Sequence, residues 1–395
     1  MKSALLMIAA AGLACGQNVA VRGEVVYTMA GAPLKDAVVL VRGGKIERVG
    51  PASAVNVPAG FKTLTAKVVT PGLIDAHATL GLSGALNQPH DQDQVEKSAP
   101  MQPELRAIDA YDPQERLIEW VRGFGVTTIH TGHGPGVLIS GQTMIVKTNA
   151  VTADDAMAPA AMIAATLGDG ARAEQGKSPG TRSKMIAMLR AELIKAQEAL
   201  KKADKKEATR DLRAEAFQKL VKGEMPLLVT VHKANDILTA IRLGKEFGLK
   251  LVLDGVAEAP EVLAQIKASG YPVILHPTMQ RSYGDAESLS METASKLSAA
   301  GIPFALQSGF EGYVPKTRVV LWEAGVAAAN GLGREKALAS ITMEAAKLLG
   351  IARRVGSLEA GKDGDLALYD GDPLEYTTHC TGVVIGGVTV KTEAR

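Results

Sequence analysis

The chain has 395 residues, 46% hydrophobic and 22% charged, which is the composition of a folded globular protein and excludes a disordered one. A net charge of +2 over that length gives no nucleic-acid footprint. Two cysteines, Cys15 and Cys380, make neither a disulfide framework nor a CxxC metal site, and the length suits one large domain with a small accessory one.

Residues 1–16 read Met1-Lys2-Ser3 followed by an apolar run from Ala4 to Ala14. This is the pattern of a secretory signal, too short to span a bilayer as a mature helix; the alternative is a buried N-terminal strand or helix. The expectation is an exported protein, periplasmic or secreted, with no transmembrane segment once the signal is removed. Cys15 is a candidate lipid anchor, although Gly12 stands where bacterial lipoprotein signals favour leucine.

Short β-branched runs follow. Residues 19–27 alternate weakly, residues 37–41 and 45–49 flank Arg42-Gly43-Gly44 as a hairpin, and further strands are expected near 62–64 and 67–70. The same texture returns at 365–369 and 383–390, so one small β domain assembled from both ends is expected. Between them, strand-like runs at 126–130, 143–147, 227–232, 249–254, 272–276 and 303–307 alternate with helical periodicity, for instance at 235–247 and 259–268. Such alternation predicts parallel pairing, with a (β/α)8 TIM barrel as the first solution and an open doubly wound sheet as the second. No phosphate-binding glycine loop occurs, which weighs against the second. The charge-rich stretch 183–222 reads as a solvated helix or helical hairpin.

Three stretches carry a resemblance. Residues 69–77, Val-Thr-Pro-Gly-Leu-Ile-Asp-Ala-His, resemble the first barrel strand of amidohydrolases, where the pattern PGLIDxHxH supplies two metal-binding histidines. Residues 337–372, with ALASITMEAAKLLGI and RVGSLEAGKDGDLALYDGDP, resemble that family's last helix and its return into a small β domain. Residues 234–248, ANDILTAIRLGKEFG, are similar to the helix after the fifth strand in the imidazolonepropionase-like group. The resemblance implies an amidohydrolase TIM barrel over residues 69–356 beside a composite β-sandwich from 17–68 and 357–395. It also implies hydrolysis of carbon–nitrogen, sometimes carbon–oxygen, bonds in amides, cyclic amides or ureas, with one or two divalent metals at the barrel's C-terminal mouth.

On that pattern His77 is the first metal histidine, and Thr79 stands where the second should be. His232 matches the fifth-strand histidine, while the sixth-strand histidine falls on Gly255 and the eighth-strand aspartate on Gly309. His276, at the end of the seventh strand run, is a candidate third ligand. Glu311 and Asp254 are candidate proton-transfer groups beside the vacated positions; Asp254 ranks lower because neighbours along a strand face opposite ways. His130 and His133 end another strand. Lys147 matches lysines that bridge metals in some relatives but reads first as a salt-bridged lysine, and His90 with Asp91 and Asp93 reads as surface.

Two functions follow. In the first, His77, His232 and His276 hold one divalent ion, zinc before others, and a metal-activated water attacks an amide-type carbonyl. In the second the site is dead, no metal is held, and the fold binds a small molecule or a partner in the cell envelope. A small-molecule substrate or ligand is expected in either case. Oligomeric state is not legible, and an oligomer stays open.

Overall fold

A computed structural model describes residues 17–86, 88–202, 210–309 and 319–391. The expected signal segment, Cys15 and Glu311 lie outside the described residues.

Four strands open the described chain: β1 (Val19–Val26), β2 (Leu34–Arg42), β3 (Lys45–Pro51) and β4 (Lys62–Pro71). The core strands are β5 (Leu73–Ala78), β6 (Val126–Thr131), β7 (Ile139–Gln142), β8 (Met144–Lys147), β9 (Ile163–Thr166), β10 (Leu227–Val231), β11 (Leu251–Gly255), β12 (Val273–Leu275) and β13 (Phe304–Leu306). Three more close the chain: β14 (Leu366–Tyr369), β15 (Cys380–Ile385) and β16 (Val388–Lys391).

The strands of the two ends join in one seven-stranded sheet, ordered β16-β15-β14-β4-β1-β2-β3. Alternating side chains give it two apolar faces: Val19, Val21, Val39, Val41, Val69, Leu366 and Leu368 on one, Ala20, Val38 and Leu40 on the other. The expected sandwich of two facing sheets is thus corrected to a single sheet. β4 pairs with both β1 and β14, which joins the two ends edge to edge. The sheet curls until its hairpin tips touch, with the Gly364 N–H donating to the Gly44 carbonyl (2.8 Å) and the Gly387 N–H to the Gly364 carbonyl (3.1 Å).

The core strands make a six-stranded sheet, ordered β13-β12-β11-β10-β9-β7, and a three-stranded one, β5-β6-β8. Pairing is parallel from β9 to β13 and between β5 and β6, whereas β7 runs antiparallel to β9 and β8 to β6. The run at 143–147 therefore departs from the expected parallel pairing. β8 returns along β6 after residues 132–143, which hold the short β7 and no helix, so the crossover that parallel neighbours need is missing.

Helices follow most core strands, among them α1 (Arg116–Arg122), α2 (Arg182–Lys202), α3 (Leu212–Val221), α4 (Ala234–Phe247), α5 (Leu263–Ser269), α6 (Thr293–Ala300), α7 (Val320–Ala327), α8 (Arg334–Ser340) and α9 (Met343–Leu348). In α4 the buried residues Ile237, Ala240, Ile241, Gly244 and Phe247 recur at helical spacing and face the sheet. The charge-rich stretch becomes α2 packed on α3. No helix among the described residues is long and apolar enough to cross a membrane.

The core strands share one interior. Ile74 and Ala76 of β5, Ile145 of β8, Leu228 of β10, Val252 of β11, Ile274 of β12 and Ala305 of β13 pack with Met162 in a single cluster, covered from one side by Ala345 and Ala346 of α9. Because side chains repeat every second residue, the next inward positions are Thr230, Asp254, His276 and Gln307, with Thr143 on the reversed segment. All five are buried. An apolar layer thus carries a polar layer, and the polar layer lies at the C-terminal ends of the parallel strands.

Candidate active site

A cavity of about 40 Å³ opens at this layer, with His77, Thr79, Thr230, His232, Asp254 and Gln307 on its wall. His77 reaches it because the β5–β6 register shifts between Asp75 and Ala78. The carboxylate of Asp254 is its electrostatic centre. Its Oδ2 accepts the Thr230 hydroxyl at 2.6 Å and its Oδ1 accepts the Gln307 side-chain amide at 2.6 Å. His77 Nδ1 lies 3.4 Å from Oδ2, an electrostatic contact longer than a good hydrogen bond.

The two groups shape each other's titration. Burial by itself would push the Asp254 pKa up, but His77, Thr230 and Gln307 hold it below the usual carboxylate value. Burial by itself would push His77 down, yet the carboxylates of Asp254 and Asp75 outweigh it and leave the imidazole pKa raised. Burial lowers His232, and it lowers His276 to about 4. Asp75 is buried beneath His77 and is pushed up to about 6 by desolvation; its Oδ1 accepts the backbone N–H of Ser308 at 3.0 Å and that of His77 at 3.3 Å.

Of the residues singled out from sequence, the structure brings His77, His232 and Asp254 to one cavity. His276 is buried nearby but is not on the cavity wall; its Nδ1–H donates to the Pro277 carbonyl at 2.9 Å. Thr79 reaches the cavity, and its hydroxyl oxygen accepts that of Ser83 at 2.7 Å. Among the described residues no three His, Cys, Asp or Glu side chains are placed to hold one metal ion. The donor set present does not fit the three-ligand centre that the family pattern calls for. Both nitrogens of His77, Nδ1 of His232 and Nε2 of His276 are nonetheless buried without a hydrogen-bond partner. Each such atom costs on the order of 1–3 kcal/mol unless something polar meets it.

The other histidines divide by surroundings. His130 is fully engaged, its Nδ1–H donating to the Ala76 carbonyl and its Nε2 accepting from Thr143, both at 2.6 Å; its ring lies 5.6 Å from that of His77. Burial takes its pKa down to about 3. His133 is buried against Gly141 and off the cavity wall, and His90 is exposed as expected. Lys147 is ruled out as a metal bridge by the reversal of β8, which carries it to the opposite end of the strands, where it pairs with Asp363 and Asp365.

Sequence reasoning missed Thr230, Gln307 and Asp75, and it ranked Asp254 too low. The signal was available in the alternation: Leu228, Val252 and Ala305 face the shared interior, so Thr230, Asp254 and Gln307 two positions on must face it too.

The comparisons with known proteins agree with this architecture. A family model described as "Amidohydrolase family" matches residues 296–391. Amidohydrolase tasK of Hapsidospora irregularis is 26% identical over 375 residues, covering 85% of this chain; the chain spans 38% of that protein's length. The imidazolonepropionase of Rhizorhabdus wittichii is 24% identical, with 87% of this chain and 91% of that one aligned. The crystal structure of an amidohydrolase from Thermotoga maritima superposes with a TM-score of 0.90 at 27% identity, over 95% of this chain and 100% of that one. Together these likenesses support the amidohydrolase superfamily, and within it the imidazolonepropionase-like group, as the family of this chain.

Proposed function

We propose that the chain is a hydrolase of carbon–nitrogen bonds in small non-peptide amides or cyclic amides, with His77 and Asp254 moving the proton. The observation that carries this is the 3.4 Å approach of His77 Nδ1 to the buried Asp254 carboxylate at a cavity on the strand ends, with Nε2 of His77 left without a partner. In this fold type, strand-end residues at that face carry the chemistry. The reading treats the two core sheets as one barrel with a reversed strand segment. The hydrogen bonds from Gly309 N–H to the His77 carbonyl (3.1 Å) and from Thr143 N–H to the Met162 carbonyl (2.8 Å) support it at the two seams. It takes the chain to divide near residues 68 and 357, and residues 1–16 to direct export.

In the proposed step Asp254 keeps the Nδ1 side of His77 as the donor. Nε2 then takes a proton from a water that attacks the carbonyl carbon, and the resulting imidazolium returns that proton to the leaving nitrogen as the C–N bond breaks. His232, neutral through burial, faces the same cavity and can donate a ring N–H to the developing oxyanion. A cavity of about 40 Å³ holds the water and the reacting carbonyl, so the rest of the substrate extends outward past Thr79 and Pro135. Metal-activated water, the expectation from the family pattern, needs three donors round one ion, and no such trio is found among the described residues.

The test is a screen of cyclic amides and N-acyl amines for ring opening or amine release. Turnover is expected in the natural chain, with kcat/KM reduced by about 100-fold or more in His77→Gln. A second reading, a non-catalytic relative that binds a small molecule or partner, is favoured by Gly309 standing where the family has its aspartate. Ligands that raise the melting temperature while no product forms with any substrate would support that reading instead.

A further inference from the structure

We infer that the centre holds no resident divalent metal, because the His77–Asp254 pair with Thr230 and Gln307 completes the polar layer in place of an ion. A catalytic zinc needs three protein ligands. His77 and His232 supply two imidazoles on the cavity wall, so the question is where a third could come from.

The positions that the family pattern vacates are each closed by a different contact, and His276, whose Nε2 has no partner, stands off the cavity wall. The Thr79 hydroxyl is engaged by Ser83 at 2.7 Å. Gly255 has φ +86°, and a Cβ built there meets the His232 ring at 2.7 Å, so the imidazole of His232 fills the space a ligand side chain would use. Gly309 has φ +68°, and a Cβ there meets Pro277 Cγ at 2.5 Å. Neither glycine position accepts a metal-binding side chain without moving its neighbour. Asp254 remains, but each of its oxygens already accepts a hydrogen bond at 2.6 Å, from Thr230 and from Gln307. Each oxygen keeps a second lone pair, so what decides is placement: among the described residues Asp254, His77 and His232 are not gathered round one point as a metal site requires. Gln307 and Thr230 bring donor groups to the carboxylate, which keeps the anion solvated within the protein without an ion. The cluster is built to satisfy Asp254 from the protein side.

The inference concerns the site of the proposed hydrolysis but is read out separately. The full chain is produced in medium containing zinc, manganese and iron, and its metal content is measured by elemental mass spectrometry. Less than about 0.1 equivalent per chain is expected, with a melting temperature unchanged by EDTA treatment or by added zinc, since a ligand that binds only the folded state must raise it. Near one equivalent of metal, or a zinc-induced rise of several degrees that His77→Gln removes, overturns the inference. The same rise removed by Glu311→Gln also overturns it, by identifying the third ligand. A metal-free chain that hydrolyses amides upholds both readings; a metal-free chain without turnover upholds this one and sinks the hydrolase.

Discussion

Two buried clusters of charged residues stand at opposite ends of the core strands, and they are satisfied in different ways. At the junction with the curled sheet, Lys147 Nζ reaches Asp363 at 2.7 Å and Asp365 at 3.0 Å, and Asp363 also meets Lys45 and Arg354. Burial alone would raise the Asp363 carboxyl, but these cations hold it at about 2. At the mouth, Asp254 pairs with no lysine or arginine among the described residues; it has an imidazole and two neutral donors, and the imidazoles around it keep nitrogens without partners. A cluster in which full charges cancel fixes one part of a protein to another. One that leaves buried nitrogens unmet retains capacity for water or a ligand, which is the signature of a working site.

Substitutions at the two ends should separate these roles. The largest effect is expected from Asp254→Asn, which removes the charge facing His77. We expect kcat/KM to fall by about 10²–10⁴-fold at neutral pH. In the natural chain a general base must be neutral, so the rate rises with pH through the raised pKa of His77. In the Asn variant the remaining rate should rise at lower pH, and a profile that does not move would break the assignment. Next in size, Lys147→Met leaves Asp363 and Asp365 without their shared cation, costing about 3 kcal/mol in denaturant unfolding while kcat/KM stays unchanged. Lost activity with unaltered stability there would mean that the junction is no mere fastener.

The smallest effect is a pH dependence of stability. His276 and His130 have folded pKa values of about 4 and about 3, below the ordinary 6.5. The unfolded chain takes up protons on these rings below pH 6.5 while the folded chain does not. Their contribution is therefore fully present above that pH and is lost as pH falls towards 4. Each should account for about 2 kcal/mol at pH 5. Replacing His276 by Gln should flatten its share of the acid limb in unfolding curves recorded between pH 7 and 4.

The particular elements show what could be read in advance. The hairpin around Arg42-Gly43-Gly44, the strands of both termini and the helix 234–247 were legible because each is set by local alternation or periodicity. Residues 139–147 were not, since an apolar run has no direction and only the short link after β6 reverses it. His77 and His232 were found through motif and strand-end position. Asp254 was discounted on alternation counted from Gly255, when counting from Val252 in the apolar layer would have turned it inward. Thr230 and Gln307 carry no motif, because a threonine or glutamine becomes functional only through the carboxylate it meets.

The reversed segment also decides where this architecture tolerates change. Elsewhere a peptide grafted after a strand lands at the catalytic rim, but here the chain returns downward. Residues 132–138 therefore form a short rim link, with Pro135 on the cavity wall, and residues 148–156 follow Lys147 at the opposite end of the strands. Lengthening the first is a handle on which molecules are admitted. Lengthening the second offers an attachment point for tags or surfaces that leaves the entrance free.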